Sequence, residues 1–203
     1  MSKKGLLFII SAPSGAGKTS LCKEAIKSFS DLYYSVSYTT RPSRPGEKDG
    51  EDYFFVSEEK FREMVDNKRF GEWAEVHGYN YGTSIDVLEK HRHRGTDVIL
   101  DIDGQGARQL RSYFTNGIGI FVIPPSWSEL EKRLRSRKTE SDEDINKRLE
   151  NGRNELKHIG DYDYVLINDD YDQAVSSLKS IIIAERCRRE RVLPHISDLF
   201  QLP

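Results

Sequence analysis

Residues 6–21 read LLFIISAPSGAGKTSL: a short apolar run, a turn of small residues, then a basic and a hydroxyl residue opening a new pattern. Leu6 to Ile10 is continuously apolar, as a strand buried on both faces of a parallel sheet must be. After Thr19 the apolar positions Leu21, Cys22, Ala25, Ile26 and Phe29 recur at helical spacing. Between strand and helix, Ala12, Pro13, Ser14, Gly15, Ala16, Gly17, Lys18 and Thr19 fit the phosphate-loop pattern GxxxxGK[ST], with Ala12 where the first glycine usually stands. That relaxed pattern arises by chance in about one or two chains per hundred of this length, so its context has to carry the argument. The context suits the chemistry. Small residues let backbone N–H groups surround a phosphate, and the helix start adds partial positive charge. Lys18 would reach the β- and γ-phosphates of a nucleoside triphosphate, and the Thr19 hydroxyl would ligate Mg²⁺.

Working outward, the same strand grammar returns at Val98–Leu100, Ile118–Ile123 and Tyr164–Ile167. Helical patterns lie between and after them, the last through Ala174, Val175, Leu178, Ile181, Ile182 and Cys187. This alternation predicts an α/β fold with a parallel sheet. At 203 residues and 23.4 kDa the chain is one domain, or one domain with inserts. Charged residues make up 32% against about 25% in an average domain, yet the net charge is −2, which excludes a polybasic tail or acidic arm as the main feature. No run approaches the roughly 18 apolar residues of a membrane span. Lys3 and Lys4 before LLFII imitate a secretory signal, but five apolar residues fall short of the about 7–15 required. Cys22 and Cys187 form no CxxC or disulfide framework, and a soluble cytoplasmic protein is expected.

Two stretches interrupt the rhythm. From about Ser37 to Tyr81, TTRPSRPGEKDGEDYFF (39–55) excludes a long helix and predicts a small sheet-like insert, followed by a helix near Glu58–Val65. From about Glu129 to Lys157 the chain is dense in charge and predicts helices standing off the core, able to move. Ser126 with Glu129 forms a capping box at one helix start, and Ser141 with Asp144 a weaker version at the next.

VILDID (98–103) ends the second strand with Asp101 and Asp103, two apart on an extended chain and so on one face at its carboxyl end, where open α/β sheets bind ligands. One could hold Mg²⁺ through water while the other accepts from a substrate. Asp101–Gly104 also satisfies DxxG, so a GTPase has to be considered. The guanine-reading NKxD of that class is absent: Asn146-Lys147-Arg148-Leu149 carries Leu where Asp is required. In the first insert, Arg41, Arg44, Tyr53 and Tyr81 could donate to a second phosphate-bearing ligand. Ser37, Glu72, Thr83 and Asp103 add hydroxyls and carboxylates. Guanine presents N1–H and N2–H₂ donors beside its O6 acceptor, so a carboxylate can accept twice while a hydroxyl donates; adenine lacks the matching donors.

SAPSGAGKTSL, SYTTRPSRPGEKDGEDYFFV, GEWAEVHGYNYGT, VILDIDGQGA, RLRSRKTESDEDINKRL and VLINDD follow in order along nearly the whole chain. Together they resemble the segments of guanylate kinase. The resemblance implies a P-loop nucleoside-monophosphate kinase fold: a five-stranded parallel core flanked by helices (1–35, 88–128 and 160–203), a GMP-binding insert (36–87) and a helical lid (129–159). It implies ATP as co-substrate with Mg²⁺, and GMP or dGMP as acceptor. Small nucleotides would be the partners, with no nucleic acid and no membrane. By matching position, Arg41, Arg44, Tyr53 and Tyr81 are implied as the clamp on the GMP phosphate, and Ser37, Glu72, Thr83 and Asp103 as the guanine readers. Lys18, Arg41, Arg137 and Arg148, with Arg133 beside them, are implied around the transferring phosphoryl group. The ATP site is implied from Ala12 through Ser20 with Asn168 near the adenine, and the metal side at Thr19 and, through water, Asp101.

The sequence departs from the family at the lid, where Ser136-Arg137-Lys138-Thr139 replaces RGRGT, at Tyr38, and at Tyr79-Asn80, the reverse of the usual order. Two other readings compete. Guanylate-kinase-like scaffold domains bind phosphopeptides but typically lack phosphate-loop residues, which are intact here; a kinase of another monophosphate would differ in acceptor. His91 and His93 share no helix face for a metal. Arg186, Arg188, Arg189 and Arg191 suggest a solvated face rather than an RNA site, and Trp73 and Trp127 are expected to pack.

Overall fold

The computed structural model describes residues 4–76, 78–136 and 141–200. The first apolar run forms β1 (Leu7–Ser11), all five residues buried. β2 (Leu32–Tyr34), β7 (Asp97–Asp101), β8 (Ile118–Ile123) and β9 (Tyr164–Ile167) complete a parallel sheet in the order β2-β7-β1-β8-β9. β1 is hydrogen-bonded on both edges and covered on both faces, which is why its sequence tolerates no polar position before Ser11. Successive side chains point to opposite faces. Phe8 and Ile10 join α1 (Lys18–Ile26) and α7 (Tyr171–Arg186) through Leu21, Cys22, Ala25, Leu178 and Ile182. Leu7 and Ile9 join α3 (Ile85–His93) and α4 (Gly104–Tyr113) through Leu88, Ala107 and Leu110. Each fully buried leucine, isoleucine or phenylalanine among them contributes about 1.5–3 kcal/mol. The chain is therefore an α/β protein, a five-stranded parallel sheet flanked by helices. β2 carried no apolar run because it is a short edge strand in which only Leu32 is buried.

The first interruption builds a second sheet, β4-β3-β6-β5, from β3 (Tyr38–Thr39), β4 (Phe54–Phe55), β5 (Phe70–Val76) and β6 (Tyr79–Ser84). Helix α2 (Glu58–Asp66) ends one residue later than expected and is capped by Ser57, whose side chain accepts from Lys60 N–H. Trp73 stands 43% exposed on β5 with its ring edge toward Phe61.

The charged segment forms α5 (Trp127–Ser136) and α6 (Asp142–Leu156), and it is not merely a stand-off: Leu130, Leu134, Ile145 and Leu149 make a small core with Trp127 against them. The two capping signals exchange rank. Ser141 and Asp144 form the complete box. Ser126 Oγ does accept from Glu129 N–H at 3.1 Å, but the Glu129 carboxylate is drawn forward to Arg133, also at 3.1 Å. At the far end the arginine cluster is not a solvated face. Arg186 holds the buried Asp97 at 2.7 Å and Asp31 at 2.9 Å, and Arg188 holds Glu185 at 2.8 Å. Arg191 donates to the Lys4 carbonyl at 3.2 Å, joining α8 (Arg189–Phe200) to the start of the core. A carboxylate as buried as Asp97 requires a cation, and this demand recruits Arg186.

Candidate active site

The phosphate loop leaves the carboxyl end of β1 and enters α1 at Gly17, the N-cap residue, whose φ of 91° is left-handed. A Cβ there would also meet Asn168 Nδ2 at 2.6 Å, so glycine is required twice. Asn168 donates from Nδ2 to the Ala16 carbonyl at 2.7 Å, fixing the loop from the end of β9. It lines a cavity of 240 Å³ with Gly15, Gly17, Ser20 and Tyr171. Arg133 lines this cavity too, its guanidinium engaged by Glu129 and by the Asn168 carbonyl, each at 3.1 Å. Arg148 reaches from α6 to Ser14 Oγ at 2.5 Å, so α6 touches the loop from the other side. Arg137 lies outside the described residues.

A second, larger cavity of 480 Å³ opens at the carboxyl edge of the parallel sheet. Lys18, Thr19 and Asp101 line it from the core, Arg148 from α6, and Ser37, Tyr53, Glu72 and Tyr81 from the insert. Thr19 Oγ1 donates to Asp101 Oδ2 at 2.5 Å, and the Tyr34 phenol donates to the other Asp101 oxygen. Burial, then the Asp101 charge, push the Tyr34 phenol well up from its ordinary value, so it stays a donor. Thr19 and Asp101 are hard oxygen donors at a cleft mouth. They suit Mg²⁺, which binds through one or two protein oxygens and shares substrate phosphates and waters for the rest. Among the described residues no group of three or more His, Cys, Asp or Glu could hold a metal alone.

Asp103 also lines the cleft, but its position differs from a second strand carboxylate. The strand stops at Asp101, and Asp103 caps α4, accepting from Gly106 N–H at 2.7 Å. Glu72 on β5 is paired in register with Thr83 on β6, and Thr83 Oγ1 donates to Glu72 Oε1 at 2.5 Å. Glu72 is 8% exposed, and burial pushes its carboxyl up to about 7 despite the Thr83 bond. Thr83 itself is 1% exposed, behind the carboxylate.

In the bend that follows β3, Arg41 is 8% exposed, its guanidinium 5.3 Å from the Tyr53 ring centroid. Its Nη2 donates to Glu47 Oε1 at 2.7 Å, while Arg44 N–H donates to Glu47 Oε2 at 2.8 Å. Glu47 thereby orders both arginine positions, and this bond, first among the causes, raises the Arg41 pKa. Sequence reasoning passed over Glu47; the signal was a carboxylate three residues after Arg44 and six after Arg41 in RPSRPGE. It also passed over Tyr34, and over Lys23 and Asp52, whose 3.3 Å ion pair ties α1 to the insert across the cleft. Arg44 has an exposed side chain.

Behind the cleft Glu155 on α6 is pushed up to about 7 by burial. Its Oε2 and the Tyr162 hydroxyl are buried with no hydrogen-bond partner among the described residues. No helix among the described residues is long and apolar enough to cross a membrane.

A family model described as guanylate kinase matches residues 4–185. The guanylate kinase of Geobacter sulfurreducens is 54% identical over 202 residues, covering 100% of both chains. That of Syntrophotalea carbinolica is 49% identical, covering 100% of this chain and 96% of its own. Among solved structures, the crystal structure of guanylate kinase from Anaplasma phagocytophilum superposes with a TM-score of 0.79 at 30% identity, covering 100% of this chain and 98% of the other. With a phosphate loop and a carboxylate-lined insert facing one cleft, and full-length likeness to these enzymes, the chain belongs to the guanylate kinase family.

Proposed function

We propose that this chain transfers the γ-phosphoryl group of Mg·ATP to the α-phosphate of GMP or dGMP, giving ADP and GDP. The reading rests on one observation: Lys18 and Thr19 share a single cavity with Glu72 and Tyr81, so a triphosphate end and a monophosphate nucleotide can meet in it. Phosphate oxygens of the acceptor are already nucleophilic, so no general base is required, and catalysis is positioning with charge neutralisation. Lys18 and the loop N–H groups hold the β- and γ-phosphates. Arg41, Tyr53 and Tyr81, with Arg44 beside them, hold the acceptor phosphate; Glu47 keeps the two arginine positions in order. Glu72 accepts from guanine N1–H and N2–H₂, with Asp103, Thr83 and Ser37 completing the base site. Thr19, and Asp101 through water, would hold Mg²⁺, which supplies neutralisation of charge on the β- and γ-oxygens. Residues 36–87 act as the GMP-binding insert and 129–159 as the lid, bringing Arg148 and Arg137 over the phosphoryl group and excluding water. Asn168 fixes the phosphate loop beside the adenine. These substrates suit a role in purine nucleotide metabolism and GMP recycling, with the cytoplasm as the compartment.

Phosphorus NMR of Mg·ATP with GMP and the protein distinguishes transfer from hydrolysis. ADP and GDP in equal amounts are expected. ADP with inorganic phosphate, unaffected by GMP, would leave only a hydrolase or a binding module.

A further inference from the structure

Both carboxylates of the proposed base site meet at one residue assigned no role so far. Gly106, in the first turn of α4, donates its N–H to Asp103 Oδ1 at 2.7 Å. A Cβ built on it would lie 2.7 Å from Glu72 Oε2, 3.2 Å from Glu72 Cδ and 3.3 Å from Asp103 Oδ1. Gly106 has no positive φ. Its backbone is helical, so conformation does not demand glycine there, and alanine is the better helix former. What the missing side chain supplies is space. Glu72 is pinned on its other oxygen by Thr83 Oγ1 at 2.5 Å.

We propose that Gly106 is a positioning residue for base recognition: its bare Cα is the wall against which the Glu72 carboxylate is set, while its N–H sets Asp103. The inference rests on the reading of Glu72 as the guanine acceptor. A methyl group at 106 displaces the Glu72 carboxylate by several tenths of an ångström toward the ordinary contact range of 3.4–4 Å. The displaced atoms are the end of a side chain, so the fold is spared and the alignment with guanine N1–H and N2–H₂ is not. Misplacement on the order of 1 Å costs about 100-fold when geometry sets the rate.

The test compares Gly106→Ala, Glu72→Asp, the double variant and Glu72→Ala in the full chain, with initial rates over GMP and over ATP and a thermal melt of each. For Gly106→Ala the expected result is a rise in the KM for GMP of about 10- to 100-fold, with the KM for ATP unchanged and a melting temperature no lower than the parent's. In the Glu72→Asp background, where the shortened side chain vacates the space, the same change should cost less than about threefold, because coupled residues are not additive. A lowered melting temperature with GMP and ATP affected alike would make Gly106 merely structural and overturn the proposal. So would losses that multiply in the double variant, or a GMP KM within twofold of the parent's. If Glu72→Ala leaves the KM for GMP unchanged, the guanine reading itself fails, separately from the role of Gly106.

Discussion

Glu47 orders the acceptor end of the cleft through two bonds, one to a guanidinium and one to a main-chain N–H. Replacing it with Gln keeps the shape and removes the charge that makes the Arg41 bond strong. Glu47→Gln should raise the KM for GMP about 10-fold, in keeping with the roughly 1.5–3 kcal/mol of a hydrogen bond to a charged group, while the KM for ATP stays within twofold. Initial-rate kinetics over both substrates checks this; equal losses on both would remove Glu47 from the acceptor site. Much at this scale was legible. Lys18, Thr19 and Asp101 were named from strand ends and the turn before α1, Glu72 and Thr83 as a carboxylate and a hydroxyl of the insert; the first four share one cavity and Thr83 is bonded to Glu72. Glu47 and Tyr34 were not, since a carboxylate in a turn and a tyrosine on a short edge strand look ordinary until their partners, six and 67 residues away, are in place.

Among the elements, α5 and α6 carry the most informative difference. Their charge suggested helices standing off the core, and four leucine and isoleucine side chains with Trp127 give them a core of their own. That core was hard to see because its apolar residues are spread over two helices, none of them in a run. Leu149 is 6% exposed within it, so Leu149→Ala should cost about 2–3 kcal/mol of local stability, the lower part of the range for a buried Leu. The expected signature is faster amide hydrogen exchange in α5 and α6, with β1 and β7 unaffected, and greater ADP release without acceptor. Exchange rising equally in the central strands would contradict an independent α5–α6 unit. The strands themselves were readable where burial on both faces forces a continuous run, as in β1 and β8. The edge strand β2 lacks that constraint and left no trace.

For the molecule as a whole, the cleft and the wall behind it store two carboxyl groups that burial raises to about 7, Glu72 and Glu155. Each has a folded pKa above its unfolded value, so the folded state holds the proton more tightly. Their favourable contribution is therefore present below about pH 4.5 and is lost as pH rises toward 7. Glu47 and Asp52 are shifted the other way, downward by their hydrogen bonds, so their contribution is present at neutral pH and is lost only as the solution turns acid. Thermal melts of the ligand-free protein should decline between pH 5 and 8 in the part these groups control. Glu155→Gln should flatten that decline, and curves that stay parallel to the parent's would contradict the burial of Glu155.

The central claim is that one cleft joins a triphosphate-binding loop to a carboxylate that accepts guanine's donors. Steady-state ADP release with Mg·ATP fixed, comparing GMP, AMP, UMP and CMP against a no-acceptor control, tests it most directly. A site built around Glu72 should favour GMP over AMP by about 10⁴ or more in kcat/KM, because buried polar groups left unpaired are costly. Comparable turnover with AMP, or no stimulation by any monophosphate while nucleotides still bind, would contradict it.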